Sequence, residues 1–461
     1  MAAAASASVG LLYARSYFPP SPFLSLKLAG GPLPSSSPLS SSSSSSQSSL
    51  SSSSHFCSSS SSCNFFGVNN SWQIQRFESH TMSTTAGSLS PTVIASGERG
   101  PDHLLVLVHG IMASPSDWIY FEAELKKRLG RNFLIYASSS NTFTKTFGGI
   151  DGAGKRLAEE VRQIVHKTGS LKKISFLAHS LGGLFARYAV SVLYTPKNSG
   201  DGDMGDTSKT GHSTKQGVIA GLEPINFITL ASPHLGVRGR NQLPFLLGSP
   251  LLEKLAPSFA SIFVGRTGSQ LFLTDGKPNR PPLLLKMATD CEDGKFISSL
   301  GAFKCRIIYA NVSFDHMVGW RTSSIRREDE LPKPPQRSLD GYKHVVDAEY
   351  CPPVSSEGPH FATEVAKAKE AAQTEPSTQN TVEYHELVEA CFFSPEEMIH
   401  GLQRLGWKKV DVSFHSAVWP FFAHNNIHVK NEWFHNAGTG VVKHVADSLK
   451  QQESAYFTAS L

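Results

Sequence analysis

The strongest constraint on the fold is a six-residue segment, residues 178–183 (AHSLGG), which separates two segments of different periodicity. Residues 174–177 form an apolar run typical of a buried strand, and a helical pattern extends from Gly182 to about residue 194. The backbone of a serine at such a turn has a strained conformation that exposes the hydroxyl above the sheet. The residues two positions before and two positions after the serine must be small. Ala178 and Gly182 are both small. The segment therefore predicts a nucleophile elbow at Ser180, the alternative being a tight turn with an ordinary serine.

Strand and helix patterns alternate along the chain from about residue 103. Strand patterns cover residues 104–108, 133–137, 174–177, 225–230, 305–311 and 408–414. Three further segments have helical patterns. The first ends before Gly130, and one of its faces carries Trp118, Phe121, Leu125 and Leu129; one face of the second carries Leu157, Ala158, Val161, Ile164 and Val165. The third, residues 438–449, is the last helix of the predicted domain. This alternation predicts a mostly parallel central sheet with helices on both faces. Together with the elbow it indicates an α/β-hydrolase fold with a helical cap insertion.

The first part of the chain has a different composition. Residues 35–62 are nearly all serine, and residues 1–77 contain no Asp or Glu and only Arg15, Lys27 and Arg76 as basic residues. Serine tracts bury too little apolar surface to fold, and a Ser-rich, acid-free leader is typical of organelle transit peptides. We therefore expect a disordered leader over residues 1–81 that directs import into the chloroplast. The alternatives are a tail with no address, or translation from Met82 giving a shorter cytosolic form.

The remaining composition argues against several classes of protein. Without the three basic residues of the leader the formal net charge falls from +5 to +2, which gives no reason to expect nucleic acid or strong binding to anionic membranes. The four cysteines outside the leader have no CxxC spacing, so we expect neither a zinc site nor a disulfide framework, and no cofactor. No run approaches the roughly 20 apolar residues of a membrane-spanning helix. We expect a soluble or peripheral protein.

The predicted hydrolase domain covers residues 100–453 and carries three irregular regions. Residues 196–216 are polar and predict a flexible insertion, residues 238–300 predict a cap, and residues 326–386 predict a long polar excursion. Within the cap, residues 242–272 are apolar but not periodic. Their leucines and phenylalanines could line a pocket for an acyl chain, or form the core of an inserted helical subdomain.

Two further elements of acyl-transfer chemistry can be placed by chain position. The oxyanion needs N–H donors, and the natural pair is the backbone N–H of Ile111, after the first strand, with that of Leu181. The alternative for residues 109–110 is a simple strand-ending turn. The acid should follow a later strand, and Asp315 comes soon after the strand pattern at residues 305–311. Asp290 and Asp293 precede that strand and fit less well, and Asp315 could instead be an ordinary loop aspartate.

The histidine comes last in the order of this fold, after the serine and the acid. The candidates that follow Asp315 are His344, His360, His385, His400, His415, His424, His428, His435 and His444. We select His424, which lies in a loop-like stretch just after the apolar residues 418–423. His428, four residues on, is the main rival, because His435 and His444 are expected at or within the closing helix.

Several segments resemble the "putative serine esterase" family of lipase-like α/β-hydrolases, which has plant and yeast members. They are residues 105–110 (LVLVHG), 176–183 (FLAHSLGG), 229–236 (TLASPHLG), 315–324 (DHMVGWRTSS) and 423–427 (AHNNI). The histidine of the family corresponds to His424 and not to His428, and Ala178 replaces the commoner glycine. The resemblance implies lipase-like or phospholipase-like esterase activity.

The sequence therefore predicts a serine ester hydrolase acting on lipid-like esters, with a triad of Ser180, Asp315 and His424 and no metal. Contact with a membrane or lipid surface is a further expectation. The alternatives are a protein of the same fold that binds a small hydrophobic ligand, and an acyltransferase that uses the same serine.

Overall fold

The computed structural model describes residues 100–196, 217–238, 264–277, 280–333, 337–354 and 395–459. These residues belong to the unit Gly97–Leu461. The unit Met1–Ser96, which contains the whole predicted leader and Met82, lies outside the described residues.

A seven-stranded sheet organises the described residues. Its strands are β1 (His103–Val108), β2 (Phe133–Ala137), β3 (Lys173–His179), β4 (Glu223–Leu230), β5 (Cys305–Asn311), β6 (Val345–Cys351) and β7 (Trp407–Val412). The spatial order is β6-β7-β5-β4-β3-β1-β2, and all neighbours are parallel except β6 and β7. The chain moves to one edge after β1 and to the other after β3. Ligands of open α/β sheets bind beyond the carboxyl ends of strands at such a reversal, so the ends of β1 and β3 are the place to look for a site.

The helices cover both faces of the sheet. In the described residues they are α1 (Ile119–Leu129), α2 (Ile150–Lys167), α3 (Gly182–Leu193), α4 (Gly265–Leu271), α5 (Leu283–Lys286), α6 (Phe296–Gly301), α7 (Trp320–Ser324), α8 (Pro395–Gln403), α9 (Ala423–Asn426), α10 (Glu432–His435) and α11 (Thr439–Ala459). Within the described part of the chain, no helix has the length and hydropathy needed to cross a membrane.

The core is divided by the sheet into two layers, and β1 shows why. Its side chains alternate, so Val106 packs with α2 and α3 on one face while Leu105 and Leu107 pack with α1 and α11 on the other. All six residues of β1 are buried. A strand covered on both faces needs a continuous apolar run, which is the pattern seen in the sequence. The predicted mostly parallel sheet with helices on both faces is confirmed.

The three irregular regions are described only in part. Residues 197–216 of the predicted insertion and residues 239–263 of the predicted cap lie outside the described residues. Within the described part of the cap region, Phe296 and Leu300 of α6 belong to the same core layer as α3. The described helix α6 of the predicted cap region therefore packs into the core of the hydrolase domain.

The predicted polar excursion contains a strand of the central sheet. Residues 345–351 form β6, which pairs antiparallel with β7 at the edge of the sheet. Polar side chains such as Asp347 and Glu349 concealed this strand, because an edge strand leaves much of its surface to solvent and tolerates charge. Residues 355–386 of the predicted excursion lie outside the described residues.

Candidate active site

Ser180 lies at the sharp turn between β3 and α3, beyond the carboxyl end of the sheet. Its φ of 55° is in the left-handed region, which a residue with a side chain adopts only when its surroundings enforce it. The turn is held by the N–H of Ser180, which donates to the Leu230 carbonyl at 2.8 Å, and by the N–H of Gly183, which donates to the Ser180 carbonyl at 3.1 Å. The backbone alone therefore fixes the position of the hydroxyl.

Two glycines allow the neighbouring strand end to approach this turn. A Cβ on Gly182 would lie 2.4 Å from the Val108 carbonyl oxygen, closer than atoms can pack. A Cβ on Gly110 would lie 2.8 Å from the Cβ of Ser180. The small residue expected after the serine is therefore needed for contact with β1, and the start of the predicted oxyanion loop lies directly against Ser180.

The structure brings Ser180, His424 and Asp315 into one hydrogen-bonded series. His424 Nε2 lies 2.9 Å from Ser180 Oγ, and His424 Nδ1 lies 3.0 Å from Asp315 Oδ2. An ionised carboxylate cannot donate, so Nδ1 carries a proton, and in the neutral imidazole Nε2 is then the acceptor for the serine hydroxyl. This is the tautomer that a general base needs, and all three side chains are buried.

Asp315 is ionised because its surroundings stabilise the charge. Burial by itself raises the pKa of this carboxyl, but His424 and hydrogen bonds lower the pKa to about 2. Asp315 Oδ2 also accepts from Asn311 Nδ2 at 2.8 Å, and Oδ1 accepts the backbone N–H groups of Met317 and Val318 at 3.0 and 2.9 Å. Each oxygen therefore has donors of its own, which fixes the orientation of the carboxylate.

The two predicted oxyanion donors reach the site from different parts of the chain, because Leu181 follows Ser180 and Ile111 follows Gly110, which packs against Ser180. Within the described residues, the N–H groups of Ile111 and Leu181 donate to no protein acceptor. The loop that carries Ile111 is held at the next residue, because the Met112 N–H donates to Thr146 Oγ1 at 3.2 Å and Thr146 Oγ1 donates to the Phe143 carbonyl at 2.6 Å. Unused N–H groups beside a buried serine hydroxyl are the arrangement that stabilises an oxyanion.

The rival histidine His428 lies behind the site and does not reach the serine. Its ring is buried, stacks on His179 with 3.8 Å between centroids, and meets Trp118 edge-on at 5.7 Å. Neither ring nitrogen has a hydrogen-bond partner among the described residues. Burial, followed by the charge of His424, holds the pKa of His428 well below its ordinary value. His428 is therefore a neutral packing residue here.

The other candidate acids and histidines have partners elsewhere. Asp290 accepts from the N–H groups of Ile297 and Ser298 at the start of α6, and Asp293 pairs with Lys286. Of the remaining histidines, His344 bonds the Ser413 carbonyl, His415 contacts the Phe314 ring, His435 accepts from the Asn431 N–H and His444 bonds Tyr309. His400 lies in α8, and His360 and His385 lie outside the described residues.

Sequence reasoning missed three residues that support the site: His179, Asn311 and Thr146. His179 Nε2 lies 2.8 Å from the His424 carbonyl oxygen. A signal for His179 exists in the alternation of β3, because its side chain shares a face with Leu177, whose layer also holds the buried residues around His424. Asn311 and Thr146 carry no comparable signal, since their roles depend on loop conformations.

A match to a known family covers the part of the chain that contains Ser180 and Asp315. The family described as "Putative serine esterase (DUF676)" matches residues 98–325. The protein "Putative lipase ROG1" of Saccharomyces cerevisiae is 30% identical over 227 residues, which are 48% of this chain and 28% of the yeast protein. A "Putative lipase" of Schizosaccharomyces pombe is 27% identical over 232 residues, 48% of this chain and 26% of that protein. The matched segments thus span less than a third of these relatives.

Among solved structures, Aspergillus fumigatus lipase B matches 50% of this chain and 41% of its own, with 14% identity and a TM-score of 0.28. A TM-score of this size adds nothing to the strand order described above. The family match, the elbow and the order of strands agree with one another. Residues 98–325 match the putative serine esterase family, and the described sheet and helices are those of an α/β-hydrolase.

Proposed function

We propose that the protein is a serine ester hydrolase in which Ser180, His424 and Asp315 form the catalytic triad. The observation that carries the proposal is the series of two hydrogen bonds, 2.9 and 3.0 Å, that joins a strained serine to a buried carboxylate through one imidazole. A serine hydroxyl is a weak nucleophile, and an adjacent base of this kind activates it.

The reaction follows from the positions of the atoms. Ser180 Oγ attacks the ester carbonyl carbon while its proton passes to His424 Nε2, and the oxyanion binds the N–H groups of Ile111 and Leu181. His424 then gives the proton to the departing alkoxide, which leaves as the alcohol. Water attacks the acyl-enzyme, its proton passes to His424 and then to Ser180 Oγ, and the acid leaves. Asp315 stabilises the imidazolium in both halves.

Lipid-like esters are the substrates we propose, and one surface beside the base supports this choice. The rings of Trp419, Phe422, His435, Phe434 and Trp433 contact one another in sequence, with centroids 4.3 to 6.5 Å apart. Val418 is 85% and Trp433 79% exposed. We call the exposed members of this set, Trp419, Trp433 and Phe434, together with Val418, the aromatic surface. Exposed aromatic rings favour the boundary between water and lipid, and this surface flanks the helix α9 that carries His424.

The catalytic proposal is tested with Ser180→Ala. We expect the variant to lose both labelling by a fluorophosphonate and hydrolysis of short-chain esters, while its thermal unfolding stays that of the wild type. Comparison of His424→Ala with His428→Ala is the matched control, because only the base should lower kcat by several decades. Undiminished turnover in Ser180→Ala would place the nucleophile elsewhere.

The lipid-surface proposal is tested by sedimentation with phosphatidylcholine vesicles. The double variant Val418→Ser with Trp433→Ser should bind vesicles more weakly than the wild type and keep its kcat on a water-soluble ester. Tyr350→Ser is the control, since Tyr350 is exposed on the edge strand β6 at a distance along the chain from α9. Equal vesicle binding by the double variant and the wild type would contradict a role for the aromatic surface.

Import into the chloroplast is a separate proposal that is supported by the composition of residues 1–77. A fluorescent protein fused after residue 81 should enter chloroplasts when expressed in leaf cells. A fusion that begins at Met82 should remain in the cytosol. Cytosolic fluorescence of the first fusion would exclude a transit peptide.

A further inference from the structure

His179 is joined to the active site in two ways at once. It precedes Ser180 in the chain, so its backbone is part of the elbow, and its ring Nε2 lies 2.8 Å from the carbonyl oxygen of His424. A carbonyl oxygen only accepts hydrogen bonds, so Nε2 carries the proton and donates. The side chain therefore connects the backbone of the nucleophile to the backbone of the base.

The His424 carbonyl needs a donor because α9 is only one turn long. The N–H of Ile427 bonds the carbonyl of Ala423, and the N–H of Val429 bonds that of Asn426. In the part of the chain that the structure describes, the donor to the His424 carbonyl is the ring of His179. A buried carbonyl left without a donor is costly, so the bond is an anchor for this short helix.

The anchor closes a ring of interactions around the reacting atoms. Starting at Ser180, the ring passes through the peptide bond to His179, across the 2.8 Å bond to the His424 backbone, and back from the imidazole to Ser180 Oγ over 2.9 Å. Without the His179 bond, only side-chain bonds would oppose movement of the residues around α9 relative to the elbow. Proton transfer depends steeply on the distance and direction between donor and acceptor, so such motion would lower the rate.

The surroundings of His179 keep its ring fixed and neutral. One face stacks on His428 at 3.8 Å, and the His424 ring lies 4.7 Å away. Burial, followed by the closeness of the imidazoles of His428 and His424, holds the pKa of His179 well below its ordinary value, against the opposing effects of the hydrogen bond to the His424 backbone and of Asp315. A neutral ring adds no positive charge beside His424 when that residue becomes an imidazolium.

We propose that His179 is a positioning residue, whose Nε2–H bond to the His424 carbonyl holds the base in register with Ser180. The proposal rests on the proposed function, since it concerns the same serine and base. His179 acts through His424 and touches no reacting atom in this role.

The test compares His179→Phe with His179→Gln in the full chain. Phenylalanine keeps a ring that can stack on His428 but has no donor, whereas the amide of glutamine can place an N–H close to the position of Nε2. We expect His179→Phe to lower kcat on a short-chain ester by about 10²-fold with KM unchanged. His179→Gln should stay within about fivefold of the wild-type kcat. Rates are measured well below the thermal midpoint of each variant.

His444→Phe is the matched control for loss of a buried histidine bond. His444 lies in α11 and bonds the hydroxyl of Tyr309 in β5 at 2.8 Å, and neither element carries a triad residue. It should lower the thermal midpoint and leave kcat at the wild-type value. A purely structural role for His179 would give the same result as this control.

Fluorophosphonate labelling of Ser180 separates this inference from the proposed function. Labelling needs the activated serine but no turnover, and its rate should fall in His179→Phe and recover in His179→Gln. A wild-type protein that is not labelled would overturn the proposed function and this inference with it. A labelled wild type whose rates are unchanged in His179→Phe, or equally reduced in both variants, would overturn this inference alone.

Discussion

The two halves of the candidate site are built by different means. The elbow, residues 178–183, is one continuous segment whose shape is set by backbone bonds and by the absence of a Cβ at Gly182. The acid and base loops, residues 311–318 and 419–429, lie more than 100 residues apart in sequence and are held by side-chain bonds. A change in the elbow should therefore act through steric overlap, and a change in the loops through charge and proton position.

Asp315→Asn should have the largest effect on activity. Asp315 Oδ1 accepts two backbone N–H groups, so the amide oxygen of the variant must take that place and its NH₂ must face His424. His424 Nδ1 would then have to accept, which moves the ring proton to Nε2, facing Ser180. We expect kcat, measured well below the thermal midpoint of the variant, to fall roughly 10⁴-fold, as loss of the correct tautomer does in other triads. A variant within tenfold of the wild type would remove Asp315 from the triad.

Gly182→Ala tests the steric half of the comparison. The added methyl would lie 2.4 Å from the Val108 carbonyl oxygen, a backbone atom that cannot move without displacing β1. We expect a loss of about 3 kcal/mol in the free energy of unfolding, measured in urea, together with loss of activity. Gly169→Ala is the control, because a Cβ there meets nothing within 4 Å, and it should be close to neutral. A stable Gly182→Ala protein would show that the elbow tolerates the contact.

The acid loop should also make stability depend on pH. The pKa of Asp315 is lowered to about 2 in the folded protein, against about 3.9 for an unfolded aspartate. The stabilisation is therefore complete above about pH 4 and is lost as the pH falls through about 2, and it amounts to between about 2 and 3 kcal/mol. Urea unfolding between about pH 5 and pH 2 should show this loss in the wild type and not in Asp315→Asn. Parallel pH profiles for the two proteins would exclude Asp315 as the source.

The elbow could be predicted from the sequence because its determinants are local. Small residues lie two positions before and two positions after Ser180, an apolar run precedes the serine, and a helical pattern follows it. Each of these features is visible within about twenty residues. The sheet could be predicted for the same reason, since strands buried on both faces need an apolar run, as in residues 104–108 of β1 and residues 307–310 of β5. Strand β6 could not be predicted, because one side of an edge strand carries polar residues of the kind that are typical of loops.

For the acid and base loops, the sequence predicted only the order in which the acid and the histidine follow the serine along the chain. The order of the fold and the resemblance at residues 423–427 select His424 over His428, yet the bonds that hold it are invisible in the sequence. Asn311 bonds a residue only four positions away, through the conformation of the acid loop, whereas His179 bonds a residue 245 positions away through tertiary packing. Local patterns specify which residues can carry the chemistry, and long-range packing specifies what holds them in place.

The oxyanion loop is held both by a steric contact and by side-chain hydrogen bonds. Of the changes proposed here, Thr146→Val should have the smallest effect on kcat. The Thr146 hydroxyl accepts from the Met112 N–H and donates to the Phe143 carbonyl, so it holds the residue after Ile111. Valine has nearly the same shape and makes neither bond, but the glycine contact at Gly110 still sets the start of the loop. We expect a rise of about 1 kcal/mol in the barrier, or roughly a fivefold lower kcat. The exposed control Thr274→Val should have wild-type kcat, and an equal loss in both would show that the hydroxyl of Thr146 does not position the donor.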